Sequence, residues 1–129
     1  MYRVAVLDDY ARVIPKLADW SPLKGRCEVD FLDRPLPTID EAARVLAPYH
    51  VLCHLRERLA MPRELIERLP NLKMMALTGK AHRTLDHKAA AERGILVCHT
   101  EERPDGAHGT PELAIALMLS LARRIPFEE

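Results

Sequence analysis

Apolar residues in this chain fall into short unbroken runs that alternate with stretches where they are spaced. Val4-Ala5-Val6-Leu7 is unbroken and ends in Asp8-Asp9, the pattern of a strand buried on both faces. Residues about 10–18 carry Val13, Ile14, Leu17 and Ala18 at helical spacing, with Pro15 shortening that helix or delaying its start. Cys27 to Leu32 alternates rather than runs, which predicts a strand with one wetter face at a sheet edge. Thr38 followed by Glu41 forms a capping box and predicts a helix to about Ala47, stopped by Pro48. Val51-Leu52-Cys53 predicts a third strand. Pro62 opens a helix through Leu65, Ile66 and Leu69 that ends at Pro70. Lys73 to Thr78 predicts a fourth strand ending at Gly79, Asp86 to Arg93 a short helix closed by Gly94, and Ile95 to Cys98 a fifth strand. A polar loop from His99 to Gly109 leads into a last helix from about Pro111 to Arg124.

Five strands separated by helices predict a parallel sheet, because parallel strands need crossover connections. The predicted fold is therefore α/β and flavodoxin-like, with strand order 2-1-3-4-5 and helices on both faces. Such sheets bind ligands at the carboxyl ends of their strands, here Asp8-Asp9, His54 to Arg58, Thr78 to Arg83 and His99 to Gly109. The 129 residues fit one domain, with no repeat, low-complexity tract or linker. Nineteen basic and nineteen acidic side chains give zero formal charge, so nucleic acid is not an expected partner. No apolar run reaches the roughly 20 residues of a membrane span, and the amino terminus reads into a strand without a signal-peptide layout. Cys27, Cys53 and Cys98 are widely spaced and include no Cys-x-x-Cys, so neither disulfides nor a zinc ribbon organise the fold. A cytoplasmic protein is expected.

Asp8-Asp9 would suit magnesium in a phosphoacceptor domain, but that chemistry also needs an Asp after the third strand and a Lys after the fifth. Those strands run instead into Cys53-His54-Leu55 and Cys98-His99. The pair is read as solvated turn residues that cap the next helix. Arg56, within Leu55-Arg56-Glu57-Arg58, can fork a substrate carboxylate, while the same three charges also read as an exposed run. In Thr78-Gly79-Lys80 a glycine after a strand can present backbone N–H groups to an anion, although turns recruit glycine for their own sake. No Gly-x-Gly-x-x-Gly or phosphate loop occurs, so these residues are expected to build no dinucleotide site. The six histidines, His50, His54, His82, His87, His99 and His108, match no ligand spacing; most of them read as loop or surface residues and no metal site is expected. Cys53 and Cys98 read as core thiols. Ser21 and Ser120 have no nucleophile elbow around them, and no catalytic residue is assigned.

Leu113 to Ala122 is apolar on nearly every side. Leaving half of its large side chains wet would forfeit on the order of 5–15 kcal/mol, comparable with the stability of a whole domain. Another domain or another copy is therefore expected to cover this helix.

Several segments, taken in order, carry a resemblance. They are Val6-Leu7-Asp8-Asp9-Tyr10, Ala18-Asp19-Trp20-Ser21-Pro22-Leu23, Leu55-Arg56-Glu57-Arg58, Thr78-Gly79 through Leu85-Asp86, Ala89 to Ile95, and Thr110-Pro111-Glu112-Leu113 through Pro126. Together they resemble the N-terminal part of the D-isomer-specific 2-hydroxyacid dehydrogenases, over essentially the whole chain. The resemblance implies a flavodoxin-like substrate-binding domain over residues 1–109 and an interdomain and dimerisation helix over residues 110–129. It implies that backbone N–H groups of Thr78, Gly79 and Lys80 meet the substrate carboxylate, that Arg56 lines the cleft, and that Thr110 lies toward the nicotinamide of NAD. In that family the catalytic Arg, Glu and His and the glycine fingerprint come from a later cofactor domain. The expectation is a substrate-binding part of an enzyme that reversibly reduces a small 2-oxo acid to a 2-hydroxy acid. Alone it would be inactive, bind no NAD, and form a homodimer through residues 110–125. The alternative class is a non-catalytic interaction module that offers its last helix to a larger partner. Ala81-His82, Arg83, the charged stretch Glu101 to Gly106 and Pro111 depart from the family pattern around the expected cleft.

Overall fold

The five apolar runs form five strands that pair only in parallel. They are β1 (Tyr2–Val6), β2 (Cys27–Phe31), β3 (Val51–His54), β4 (Met74–Leu77) and β5 (Leu96–His99), in the order β2-β1-β3-β4-β5. The structure is a computed structural model and describes residues 1–79, 81–101 and 109–125. Between the strands run α1 (Ile14–Leu17), a 3-10 turn (Ser21–Leu23), α2 (Ile39–Leu46), α3 (Arg63–Glu67) and α4 (His87–Glu92), and α5 (Gly109–Ala122) follows β5. The α/β class and the strand order are those the hydrophobic pattern predicts. β2, whose sequence alternates, lies at the edge and pairs only with β1.

Local chemistry explains the helix limits. Pro15 leaves α1 only four residues, starting four positions later than the spacing of Val13 and its neighbours suggests. Thr38 caps α2 as the capping box predicts, its hydroxyl accepting the Glu41 amide at 3.2 Å. The Asp86 carboxylate accepts the Ala89 amide at 2.8 Å and starts α4, and Gly94, at φ +66°, turns the chain out of it. β5 begins one residue later than expected because Ile95 turns inward; its amide bonds the Ala90 carbonyl at 2.9 Å.

Register separates the sheet's two faces. Ala5, Leu52 and Met75 share one row, are fully buried, and meet Ala42, Leu46, Leu65, Ile66, Ala89 and Ala90 of α2, α3 and α4. The next row, Val4, Val51, Met74 and Leu96, faces the other way. There Val4 and Val6 are buried, Val51, Cys53, Met74 and Ala76 are half-buried, and Leu96 is exposed. Trp20 anchors the 3-10 turn on this side, standing edge-on to Phe31 with centroids 5.1 Å apart. One face thus carries the core, and the other is covered mainly toward β1 and β2. In α5 every residue is exposed except half-buried Ser120, so nothing within the described residues covers it. Among the described residues no helix is long and apolar enough to cross a membrane.

Candidate functional site

Loops leaving β1, β3 and β4 meet at the carboxyl edge of the sheet. Asp8 and Asp9 are not the solvated turn residues the sequence suggests; they are 7% and 3% exposed. The Asp9 amide bonds the Leu32 carbonyl at 2.9 Å, continuing the β1–β2 pairing and drawing the turn inward. Its carboxylate caps α1, accepting the amides of Val13 at 3.0 Å and Ile14 at 3.2 Å. Capping is therefore as expected, from a buried position. Asp9→Ala strips both amides of their acceptor and is expected to cost about 1–2 kcal/mol in urea unfolding, with Asp9→Asn recovering most of it.

Sheet order brings Arg56 and Thr78 together. The Arg56 amide donates to the Thr78 hydroxyl at 3.0 Å, and that hydroxyl donates to the His54 carbonyl at 3.1 Å. Arg56 takes a left-handed backbone, φ 67°, and its exposed guanidinium makes no ion pair among the described residues. A planar cation held at its backbone and free at its tip suits a carboxylate ligand. Gly79 sits at φ +104°, where a Cβ would be strained. The amides of Thr78 and Gly79 are, however, already donated, to the His54 carbonyl at 3.1 Å and the Thr100 hydroxyl at 2.9 Å. The open anion nest expected at these two residues is closed within the chain. Thr100 is exposed, so its rotation would release the Gly79 amide to a ligand. Lys80 and residues 102–108, His108 among them, lie outside the described residues, as do residues 126–129 at the end of the expected interdomain segment. Thr110 falls in the first turn of exposed α5 and does not join the Arg56–Thr78 cluster.

Glu57 and Arg83 supply a clamp that the sequence reading missed. The Arg83 amide donates to Glu57 Oε1 at 2.7 Å and its Nε to Oε2 at 3.1 Å, tying the loop after β3 to the loop after β4. The Arg83 amide, and then its side chain, hold the Glu57 carboxyl below the usual carboxylate range. Arg58 donates Nη1 to the Asp8 carbonyl at 3.0 Å and lies over the Tyr10 ring, 4.9 Å from its centroid. Of the run Arg56-Glu57-Arg58, half-buried Glu57 departs from the exposed-charge reading, Arg58 is exposed but bonded, and Arg56 is exposed with no ion pair among the described residues.

His54 and His82, read as loop or surface residues, are 1% and 2% exposed and pack edge to face with centroids 5.1 Å apart. Among the described residues neither ring nitrogen of His54 has a hydrogen-bond partner; His82 Nδ1 is 3.3 Å from the Thr84 hydroxyl. Burial, and then the neighbouring His82, push His54 down to about 3, and burial also lowers His82. His54 continues the inward alternation of Leu52, a period-two signal legible in the sequence. Among the described residues no His, Cys, Asp and Glu cluster could hold a metal ion. Cys53 and Cys98 are free and half-buried rather than fully in the core.

The family model for the catalytic domain of D-isomer-specific 2-hydroxyacid dehydrogenases matches residues 4–106. A hydroxypyruvate reductase from Blautia hydrogenotrophica is 26% identical over 124 residues, which cover 95% of this chain and 37% of that protein. A D-3-phosphoglycerate dehydrogenase from Archaeoglobus fulgidus is 35% identical over 88 residues, 67% of this chain and 16% of that protein. The crystal structure of a phosphoglycerate oxidoreductase from Vibrio cholerae O395 superposes with a TM-score of 0.83 at 28% identity, covering 98% of this chain and 39% of that one. The chain therefore spans less than two-fifths of the length of each of these relatives.

Proposed function

The chain belongs to the D-isomer-specific 2-hydroxyacid dehydrogenase family, and from that premise we propose that it is the substrate-binding half of an NAD-dependent enzyme interconverting a small 2-oxo acid and its 2-hydroxy acid. Residues 1–109 correspond to the substrate-binding domain, and the segment 110–129, which includes α5, joins a second domain or a second copy. The observation that carries this reading is the Arg56–Thr78 cluster at the carboxyl edge, an uncommitted guanidinium with its backbone fixed across two strands. Arg56 anchors the substrate carboxylate, and Gly79 adds its amide once Thr100 turns away.

The remaining requirements of the reaction are not met by these residues. Reducing a carbonyl needs a bound nicotinamide and a positioned proton donor. NADH would supply the hydride when bound, but no glycine fingerprint follows any of the five strands, so the residues present do not fit a dinucleotide. His54 and His82 are buried and held neutral, so neither delivers a proton to the carbonyl. The chain by itself is expected to oxidise no NADH above blank with glyoxylate, pyruvate or hydroxypyruvate. It is expected to bind glycolate, seen as shifts of the Arg56 and Gly79 amides in NMR titration, and Arg56→Gln is expected to weaken this about tenfold or more. Turnover by the isolated chain would overturn the first expectation; identical binding by the Arg56→Gln variant would overturn the second.

A second reading, a non-catalytic interaction module, is favoured by exposed α5 and by the Thr78 and Gly79 amides being donated already. Absence of any glycolate response would favour it.

A further inference from the structure

A second feature of the carboxyl edge has no part in the reaction above. The segments following β1, β2 and β3 line a half-open cavity of about 300 Å³, at the lower end of the range for small-molecule sites. It lies beside β1 and β3, where the order β2-β1-β3 makes successive connections diverge, the position at which open α/β sheets collect ligands. Pro35, Pro37 and Pro62 stand in its walls. Proline fixes its own φ, so such walls lose little freedom when a ligand arrives. Leu65 and other apolar side chains from α2 and α3 line the rest.

Beside the hydroxyls of Tyr10 and Thr38, its charged groups are two, of opposite sign, that form no ion pair with each other. The Asp8 carboxylate lines the cavity although the residue is 7% exposed. Its partner among the described residues is a neutral one, the Tyr10 hydroxyl, which donates to Oδ1 at 2.8 Å. Arg58, also lining the cavity, gives Nη1 to the Asp8 backbone carbonyl at 3.0 Å rather than to the carboxylate. Asp8 makes no ion pair among the described residues, so a cation brought to its carboxylate in this mostly apolar setting gains a direct charge contact. Asp8 also holds a left-handed backbone, φ 63°, a strained state that needs its surroundings to maintain it. An apolar amine would answer Asp8 but bring a second cation beside Arg58. An apolar acid would answer Arg58 but bring a second anion beside Asp8. A zwitterion answers both.

We propose that this cavity binds a free α-amino acid with a small apolar side chain, its ammonium on Asp8, its carboxylate on Arg58 and its side chain against Leu65. The site is separate from the Arg56–Thr78 cluster, since neither Arg56, Thr78 nor Gly79 lines the cavity. The proposal therefore stands whether or not the chain binds a hydroxy acid.

The test is a titration of the isotope-labelled full chain with L-leucine, followed by amide NMR. Saturable shifts are expected at Asp8, Tyr10, Leu36, Arg58 and Leu65. The half-analogues 3-methylbutylamine and 4-methylpentanoate, and glycine, are each expected to bind about tenfold or more weakly than leucine. Arg58→Gln, at an exposed position, is expected to weaken leucine binding by a similar factor while leaving the glycolate response of Gly79 in place. Asp8→Asn serves as the second variant, with its folding checked by the same spectra. No saturable response to leucine at tens of millimolar, equal binding of either half-analogue, or shifts centred on Thr78 and Gly79 would each overturn the proposal.

Discussion

Acidification from pH 7 to pH 5 is expected to strip about 2 kcal/mol from the stability of this domain, through His54. The residue is 1% exposed, neither ring nitrogen has a partner among the described residues, and burial pushes the group down to about 3. The unfolded chain binds the proton near the ordinary histidine value of about 6.5, whereas the folded chain does not until far lower pH. The group's contribution is thus complete above about 6.5 and is lost as pH falls toward 3, at about 1.4 kcal/mol per pH unit. His82, also lowered by burial, adds in the same direction, opposed by the Glu57 carboxylate beside it. In thermal melts the loss from pH 7 to pH 5 reads as a fall of roughly 8 °C in midpoint for a chain of this size. His54→Leu is the decisive variant. It removes two buried nitrogens that lack partners and replaces them with apolar volume, so its stability at pH 7 is expected to equal or exceed the parent's. Its loss between pH 7 and pH 5 is expected to shrink by more than half. A parent protein whose midpoint is flat over that interval, or a variant with the same slope, would remove His54 from the account.

Most of the fold was legible because strands and helices advertise themselves by period. The run Val4 to Leu7, the alternation at Cys27 to Leu32 and the Thr38–Glu41 capping box each point to the element that forms, and five crossover units leave few orders to choose from. The site was legible only in part. Arg56 and Thr78 end neighbouring strands, so the strand order alone brings them together. Glu57 and Arg83 are 26 residues apart and leave no periodic trace, and their clamp depends on how two loops fold over the edge. The burial of Asp8 and Asp9 escaped for a related reason. Two adjacent carboxylates read as a wet turn until β2 is placed beside them to take the Asp9 amide, and until the positive φ of Asp8 turns its carbonyl toward Arg58. The nest at Gly79 is closed by the Thr100 hydroxyl, which the residue just past β5 supplies. In each case the missing information is tertiary: which polar group lies across the gap.

Replacing Leu113, Leu117 and Leu121 together by glutamine is expected to turn a self-associating chain into a monomer. The three lie four residues apart and share one stripe of α5. Leu113, Ile115, Leu117, Met118, Leu119 and Leu121 are all between 55% and 70% exposed, on every side of the helix. Burying what is exposed on these six gains roughly 1–2 kcal/mol each, so about 6–12 kcal/mol per copy, doubled in a symmetric pair. That exceeds or matches the about 4–15 kcal/mol that association costs in lost freedom. The half-covered sheet face around Val51, Met74 and Leu96 offers a second apolar surface for the same contact. Glutamine is a good helix former, so the substitution removes apolar area while keeping α5 helical. Size-exclusion chromatography with light scattering at tens of micromolar is expected to give a dimer for the parent and a monomer for the triple variant, with dissociation at least about 100-fold easier. Because α5 contributes nothing to the buried core, the variant's melting midpoint at high dilution, where both proteins are monomers, is expected to match the parent's. A parent that runs as a monomer at those concentrations would show that α5 awaits a different partner. A variant that still dimerises would place the contact on the sheet face instead.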